Sequence, residues 1–217
     1  MASFLQSKKF KYHENLKMIS TPVLVLRKTP YSETSIIAAT LSPEHGRIDF
    51  MIKGAKQISR KKFPQVDLFR ELEVSFKHRD TGLNSIHDVE LLHSYDSIAN
   101  FPQNFLKGCA IGTFILRNSQ SMIPSPEVYS ALKTAFSALG RSKTEVPWTE
   151  LVKLVYLDEH GFLPEAMNFS MDPKKMEAMK NLIDSIISGT PLPDYPQKTW
   201  LTLSEWIDKL CKYHELE

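Results

Sequence analysis

Hydrophobic and polar residues alternate with a period of two from residue 22 to about residue 91. This alternation is typical of strands that bury one face and expose the other. Turn-forming residues interrupt the pattern at intervals of about ten residues. The strands predicted in this way cover residues 23–27, 34–41, 47–53, 72–76 and 83–91. Five short strands with this spacing predict a small closed or nearly closed β-barrel.

After Tyr95 the apolar residues recur with the period of 3.6 that amphipathic helices show. In the first helical segment, Gly108 and Gly112 lie on the apolar side and permit close helix contact. Prolines at helix starts and glycines at helix ends mark the later segments. The predicted helices contain residues 105–116, 126 to about 140, 148–159, 173–188 with Asp172 as N-cap, and about 198–214.

The change of period predicts an α+β fold, in which an N-terminal barrel precedes an all-α domain. We divide the chain into a flexible segment at 1–17, a barrel domain at 18–95 and a helical domain at 96–217. Cys109 and Cys211 belong to no CxxC pair, which argues against a disulfide scaffold and a structural zinc site. The chain has neither an apolar run of about 18 residues nor a signal peptide, so we expect a cytoplasmic location.

The charges are divided unevenly along the chain. Residues 1–80 hold 15 Lys and Arg against 8 Asp and Glu, a net charge of +7, whereas residues 81–217 hold 12 against 17, a net of −5. A basic barrel predicts a surface for polyanions, because Lys and Arg neutralise phosphates and release condensed counterions. The predicted phosphate contacts are Arg27, Lys28, Arg47, Lys53, Lys56, Arg60, Lys61, Lys62 and Arg70.

Proteins that bind single strands also use aromatic side chains as platforms for base stacking. Tyr31, Phe63 and Phe69 are the predicted platforms of this kind. Phe50 and Phe76 lie in the apolar register of their strands, so we predict that they belong to the core instead.

Several polar clusters invite a catalytic hypothesis, but a structural role is favoured for each. His45 lies in a predicted turn before Gly46, and no nucleophile or second base is near it in the sequence. Asp158 and Glu159 point about 100° apart on a helix, and His160 suits a helix C-terminus. Because no phosphate-binding glycine loop, GxSxG or HExxH motif occurs, we predict that the chain is not an enzyme. A nuclease would need clustered carboxylates for metal ions, and the sequence shows none at a useful spacing.

Six short segments, taken in their order and spacing, form a more specific pattern. They are VLVLR at 23–27, YSET at 31–34, EHGR at 44–47, KGAK at 53–56, FRELEV at 69–74 and GFLPE at 161–165. Together they resemble the RecO family of bacterial DNA-repair proteins over roughly residues 19–190. Each segment is weak evidence alone, and the combination is fairly specific.

The resemblance implies an N-terminal OB-fold followed by helices. It also implies binding of single- and double-stranded DNA, annealing of complementary strands and help in loading RecA onto strands coated by single-strand-binding protein. The implied partners are RecR and the acidic tail of single-strand-binding protein, at the bacterial nucleoid. Four positions align with the basic DNA face of the family: Arg27, Arg47, Lys53 and Lys56.

The chain departs from the family in one respect. Many relatives carry a four-cysteine zinc module after the GxxPE segment, whereas residues 166–172 here contain no cysteine. We therefore expect neither zinc nor another cofactor, with Phe169 making a hydrophobic contact instead. A pocket for an acidic tail would need a local basic spot in the helical domain, and the available cations are Arg117, Lys133, Lys174, Lys175 and Lys180.

The main alternative is an interaction module in which the barrel binds a protein or a structured RNA and does not anneal strands. OB-folds serve all of these purposes.

Overall fold

The computed structural model describes residues 18–56, 63–79, 82–141, 145–164 and 173–216. Five antiparallel strands form one sheet in the order β3-β2-β1-β4-β5. Their bounds are β1 at Met18–Pro30, β2 at Ile36–Ser42, β3 at Gly46–Ile52, β4 at Arg70–Lys77 and β5 at Ile86–Ser94. The five predicted strands are confirmed, and their ends differ from the prediction by a few residues.

The sheet curls until its edges meet at Asn84, just before β5. The amide of Met51 donates to the Asn84 carbonyl at 2.8 Å, and the amide of Asn84 donates to the Asp49 carbonyl at 3.0 Å. These bonds form a short parallel bridge between β3 and residue 84. Pairing both edges in this way closes the barrel and satisfies backbone groups that an open sheet would leave unpaired.

Alternate residues of the strands fill the inside of the barrel. Phe50 and Phe76 are fully buried, with their ring centroids 5.1 Å apart in an edge-to-face arrangement. Val23, Val25 and Val74 pack in the same cluster. The prediction that Phe50 and Phe76 belong to the core is confirmed.

The helices follow the barrel in chain order. They are α1 at Pro102–Asn118, α2 at Pro126–Leu139, α3 at Trp148–Glu159, α4 at Pro173–Ser188 and α5 at Gln197–Tyr213. A short 3-10 helix at Asp96–Asn100, which the sequence pattern did not predict, links the barrel to α1. Within the described ranges, no helix is both long and apolar enough to cross a membrane.

A second apolar core joins the sheet to the helices. Leu24, Leu26 and Leu41 point away from the barrel interior and pack with side chains of α1 and α2. In α1, a Cβ on residue 112 would lie 3.0 Å from the Leu26 carbonyl oxygen, so Gly112 lets the helix approach the sheet closely. Gly112 was predicted to permit close contact with another helix, but the neighbour that it approaches is strand β1. Burial on both faces explains why residues 23–26 are a continuous apolar run.

The helical polar cluster has a structural role. The Glu159 carboxylate accepts backbone N–H bonds from Glu127 at 3.0 Å and Val128 at 2.9 Å, at the start of α2. An anionic acceptor stabilises the N-terminus of a helix, where N–H groups lack partners. His160 ends α3, and its amide donates to the Tyr156 carbonyl at 3.2 Å. The predicted capping role of this segment is confirmed, although Glu159 caps the neighbouring helix.

Candidate nucleic-acid interface

Strand register brings several predicted cations to one end of the barrel. Pro30 of β1 pairs with Ile36 of β2, which pairs in turn with Ile52 of β3. The end of β1, the turn at 31–35 and the turn after β3 are therefore neighbours. We call this region the basic end, and it contains Arg27, Lys28, Tyr31, Lys53 and Lys56.

Two hydrogen bonds from Lys56 hold the two turns of the basic end together. The amide of Lys56 donates to the Thr34 carbonyl at 3.1 Å, and its Nζ donates to the Ser32 carbonyl at 2.7 Å. Gly54 has a φ of 77°, which the turn after β3 requires. The two turns therefore form a defined platform.

The cations of the basic end differ in how they are paired. Arg27 and Lys53 are exposed, and neither has a polar partner among the described residues. Lys28 Nζ lies 2.6 Å from Asp67 Oδ1. Burial alone would raise the pKa of Asp67, but the bond from Lys28 and the N–H of Leu68 outweigh it and lower that pKa. Arg27 and Lys53 are thus the cations that can bind a phosphate without losing another contact.

Arg70 lies beside the basic end and is already engaged. Its guanidinium donates two bonds to the Asp96 carboxylate, at 3.1 and 2.7 Å, and a third to the Gln65 carbonyl at 3.2 Å. The bond to Asp96 raises the pKa of Arg70. This predicted phosphate contact therefore links β4 to the 3-10 helix.

Arg47 lies at the opposite end of β3, where it pairs with Leu41 of β2. Its guanidinium donates to both oxygens of Asp49, at 3.2 and 2.7 Å, and to the Leu116 carbonyl of α1 at 2.7 Å. The strand separates Arg47 from Lys53 by about 20 Å at its ordinary rise per residue. The structure therefore does not bring Arg47 together with the basic end.

The three predicted stacking residues have different environments. Tyr31 is 59% exposed at the basic end. Phe63 is half-buried and packs against the interior of the barrel. Phe69 is only 2% exposed, and its ring meets Phe105 and Phe136 edge-on at 5.6 and 5.0 Å. The prediction that Phe69 stacks with bases is wrong, because its ring belongs to the core between sheet and helices.

Two groups of predicted residues lie outside the described part of the chain. Arg60, Lys61 and Lys62 belong to residues 57–62, which connect Lys56 of the basic end to Phe63. The cysteine-free segment 166–172, including Phe169, also lies outside it, as does the predicted N-cap at Asp172. Within the described ranges, no group of three or more His, Cys, Asp or Glu residues is arranged to hold a metal ion. Both cysteines are free thiols.

The cations considered for an acidic tail are dispersed over the helices. Lys133 of α2 lies 2.8 Å from the Glu71 carboxylate of β4, and Arg117 is on the last turn of α1. Lys175 lies at a groove of about 420 Å³ between α4 and α5. That groove is mainly apolar, with Met179, Leu182, Leu203 and Trp206 among its lining residues.

Sequence reasoning missed the buried partner of Lys133. The Glu71 carboxylate is 8% exposed and also accepts a bond from the Tyr129 hydroxyl at 3.0 Å. Burial and the Glu71 charge raise the pKa of Tyr129, which keeps its hydroxyl protonated as a donor. Glu71 appeared in the sequence as one polar position of an alternating strand, a signal that does not distinguish it from an exposed residue.

Comparisons with known proteins agree with the barrel at the start of the chain. The family model described as "Recombination protein O N terminal" matches residues 16–95, a range that contains the whole barrel. This barrel is therefore similar to the N-terminal domain of the RecO family. The five-stranded barrel is accordingly the OB-fold of that family, and the predicted α+β class is confirmed.

Relatives within the RecO family extend the similarity into the helices. The chain is 31% identical over 148 residues to the DNA repair protein RecO of Alteromonas mediterranea, covering 65% of this chain and 59% of that protein. It is 21% identical over 149 residues to the DNA repair protein RecO of Thermodesulfovibrio yellowstonii, covering 69% and 60%. The protein of the same name from Coxiella burnetii is 33% identical over 69 residues, covering 32% and 29%. The matched part of this chain thus spans about three fifths of the length of the first two relatives.

Proposed function

We propose that this chain is a DNA-repair protein that binds single- and double-stranded DNA through the basic end of its barrel and anneals complementary strands. The observation that carries the proposal is that strand register brings Arg27, Lys53 and the exposed Tyr31 to the same end of the barrel. The side chains of Arg27 and Lys53 are exposed and have no polar partner in the described part of the chain. Segment 57–62 adds Arg60, Lys61 and Lys62 to the same stretch of sequence. Similarity to the RecO family supports the same role.

Annealing requires no bond chemistry, so the chain acts without being an enzyme. Two strands repel each other because both are polyanions, and a protein that neutralises their phosphates lowers the barrier to their encounter. Contacts to phosphates and nonspecific stacking carry no sequence information, which lets the strands slide into register. An exposed platform of lysine, arginine and tyrosine suits this task.

The partners follow from the family. In this proposal the chain acts with RecR at the bacterial nucleoid and assists the loading of RecA onto strands coated by single-strand-binding protein. The groove between α4 and α5 supports docking of the acidic tail of that coating protein, because its apolar lining is flanked by the cation Lys175. An apolar groove with one cation suits a peptide that has both apolar and carboxylate groups.

The decisive experiment measures binding to a fluorescent single-stranded oligonucleotide as a function of salt. We expect the R27E/K53E variant to bind about tenfold more weakly than the unmodified chain. The slope of log affinity against log salt should become shallower by about 1.4, since each lost contact to a single strand contributes about 0.7. The matched control is K209E/K212E, which reverses two exposed lysines of α5 far along the chain.

An equal loss in both double variants would show that net charge, rather than the basic end, governs binding. Two complementary oligonucleotides, mixed with the chain and followed by energy transfer between dyes, test annealing directly. Binding without faster annealing would favour the interaction module.

A further inference from the structure

A cleft lies between the sheet and the helices, outside the interior of the barrel. It has a volume of about 850 Å³, and its walls come from the end of β5, one face of α2 and the turn after α4. Volumes of this order are typical of sites for small organic ligands. None of the described residues predicted to bind DNA lines this cleft.

Two cations line the cleft, Lys133 within α2 and Arg141 two residues after the end of that helix. Lys133 and Arg141 are eight residues apart, close to two helical turns, and Ser137 lies between them. Lys133 donates one bond to Glu71, but an ammonium group has three N–H donors and this side chain is 43% exposed. Arg141 is exposed and has no polar partner among the described residues.

Positive charge exceeds negative charge in this cleft. Glu71 is the one carboxylate among the described lining residues, and Lys133 already neutralises it. Arg141 therefore remains as a cation without a carboxylate partner among the described lining residues. A guanidinium offers a planar fork of donors that matches the oxygens of a phosphate group.

Other lining residues of the cleft are apolar or flat. Leu92 is 48% exposed, and the His93 ring stands edge-on to Tyr95 with centroids 4.5 Å apart. Pro191 and Leu192 belong to the same set, and Thr190 adds a hydroxyl beside them. Flat apolar groups can contact the face of a base or sugar while the phosphate lies against α2.

We propose that this cleft binds a nucleoside monophosphate, either free or as the 5′-phosphorylated end of a strand. The phosphate binds the guanidinium of Arg141 and the spare N–H groups of Lys133. The base lies against His93 and the apolar lining residues. Because the walls come from both the sheet and α2, an occupant bridges barrel and helices and stabilises the folded chain by mass action.

The test uses the full chain with dAMP as the probe, followed by calorimetry and by thermal unfolding at low salt. We expect dAMP to bind, to raise Tm, and to bind at least about tenfold more weakly to Arg141→Glu. Lys209→Glu makes the same charge change on exposed α5 and should leave binding unaltered. Arg141→Lys keeps the charge but loses the fork, and should give an intermediate affinity.

The source of the nucleotide is distinguished by comparing dAMP with a short oligonucleotide that carries either a 5′-phosphate or a 5′-hydroxyl. A preference for the 5′-phosphate that disappears in Arg141→Glu identifies a strand end, and binding of dAMP alone identifies a free nucleotide. Either result supports the proposal. The R27E/K53E variant should still bind dAMP, so failure of this site and failure of the basic end are separable.

Three outcomes would overturn the site. The first is no binding up to about 5 mM dAMP, where even a millimolar site would be filled. The second is an equal loss in Arg141→Glu and Lys209→Glu, which indicates nonspecific charge. The third is binding of an acidic peptide that depends on Arg141 while dAMP neither binds nor competes.

Discussion

The basic end and the contact between sheet and helices use the same residue types in opposite ways. At the basic end, Lys53 is exposed and has no polar partner in the described ranges. At the sheet–helix contact, Arg47 uses its donors on Asp49 and on the Leu116 carbonyl, and Lys133 pairs with buried Glu71. The first arrangement leaves charge free for a ligand, whereas the second uses charge to hold the fold together.

This difference shows that a surplus of Lys and Arg in a segment overstates its binding surface. Of the predicted phosphate contacts, Arg47 and Arg70 each make three hydrogen bonds within the chain. A cation with satisfied donors must exchange protein contacts for phosphate contacts, so its net contribution to DNA binding is smaller. Variants on the two sides of the comparison should therefore separate stability from binding.

The largest effect is expected at Phe69. Phe69→Ala should lower the free energy of unfolding by about 3–5 kcal/mol, because it leaves a cavity beside Phe105 and Phe136. Urea unfolding measures this loss. At a temperature where the variant stays folded, its affinity for single-stranded DNA should be unchanged. A stable variant with lost DNA affinity would contradict the buried position of this ring.

The next effect compares Arg47 with Lys53. Arg47→Ala should lower the free energy of unfolding by about 2 kcal/mol, since it leaves Asp49 and the Leu116 carbonyl without their charged donor. Lys53→Ala should change stability by less than about 0.5 kcal/mol and reduce the salt slope of DNA binding by about 0.7. Urea unfolding and salt titration measure these two effects. A loss of stability in Lys53→Ala together with a shallower salt slope in Arg47→Ala would contradict the roles assigned to the two residues.

A smaller effect is expected for Tyr31, the exposed aromatic residue of the basic end. Tyr31→Ala should weaken binding to a single strand by about 1 kcal/mol through loss of one stacking contact, with little change in Tm. Tyr31→Phe is the matched control and should bind like the original chain. If both variants bind equally well, the ring is not a platform for bases.

The smallest effect concerns acid stability near the basic end. The bonds from Arg70 hold the pKa of Asp96 below its ordinary value of 3.8. A lowered pKa in the folded state adds stability above pH 4, and this stability is lost as the pH falls through the lowered value. Asp96→Asn should therefore cost less than about 1 kcal/mol at pH 7, because Asp96 is half exposed, and this cost should shrink as the pH falls through the lowered pKa. A cost that does not shrink on acidification would assign the stability to something other than this ion pair.

Much of the architecture follows from the period of the apolar residues. The predicted bounds of α3 agree with the structure, and those of α2 and α5 differ by about one residue. Proline at the first position of α2 and glycine after its end explain this agreement, because both act locally. The 3-10 helix was missed, since five residues are too few to show a period.

The site was harder to predict because burial depends on distant neighbours. Phe69 and Tyr31 are both aromatic residues near turns, yet only the packing of α1 and α2 against the sheet buries Phe69. Likewise, the partner of Arg47 on α1 lies 69 residues away along the chain. Local sequence therefore indicated which residues are cationic or aromatic, and tertiary packing decided which of them are accessible.

The glycine of the EHGR segment has a consequence for sequence comparison. Gly46 adopts a φ of 60°, and a Cβ at this position would collide with the carbonyl oxygens of Gln120 and Ile123. A side chain there would push the connection between α1 and α2 away from the barrel. We expect a descendant of this chain that had lost all affinity for DNA to keep this glycine. A glycine at the matching position of a newly sequenced relative therefore indicates shared architecture. The exposed lysines after β3 are the better guide to shared activity.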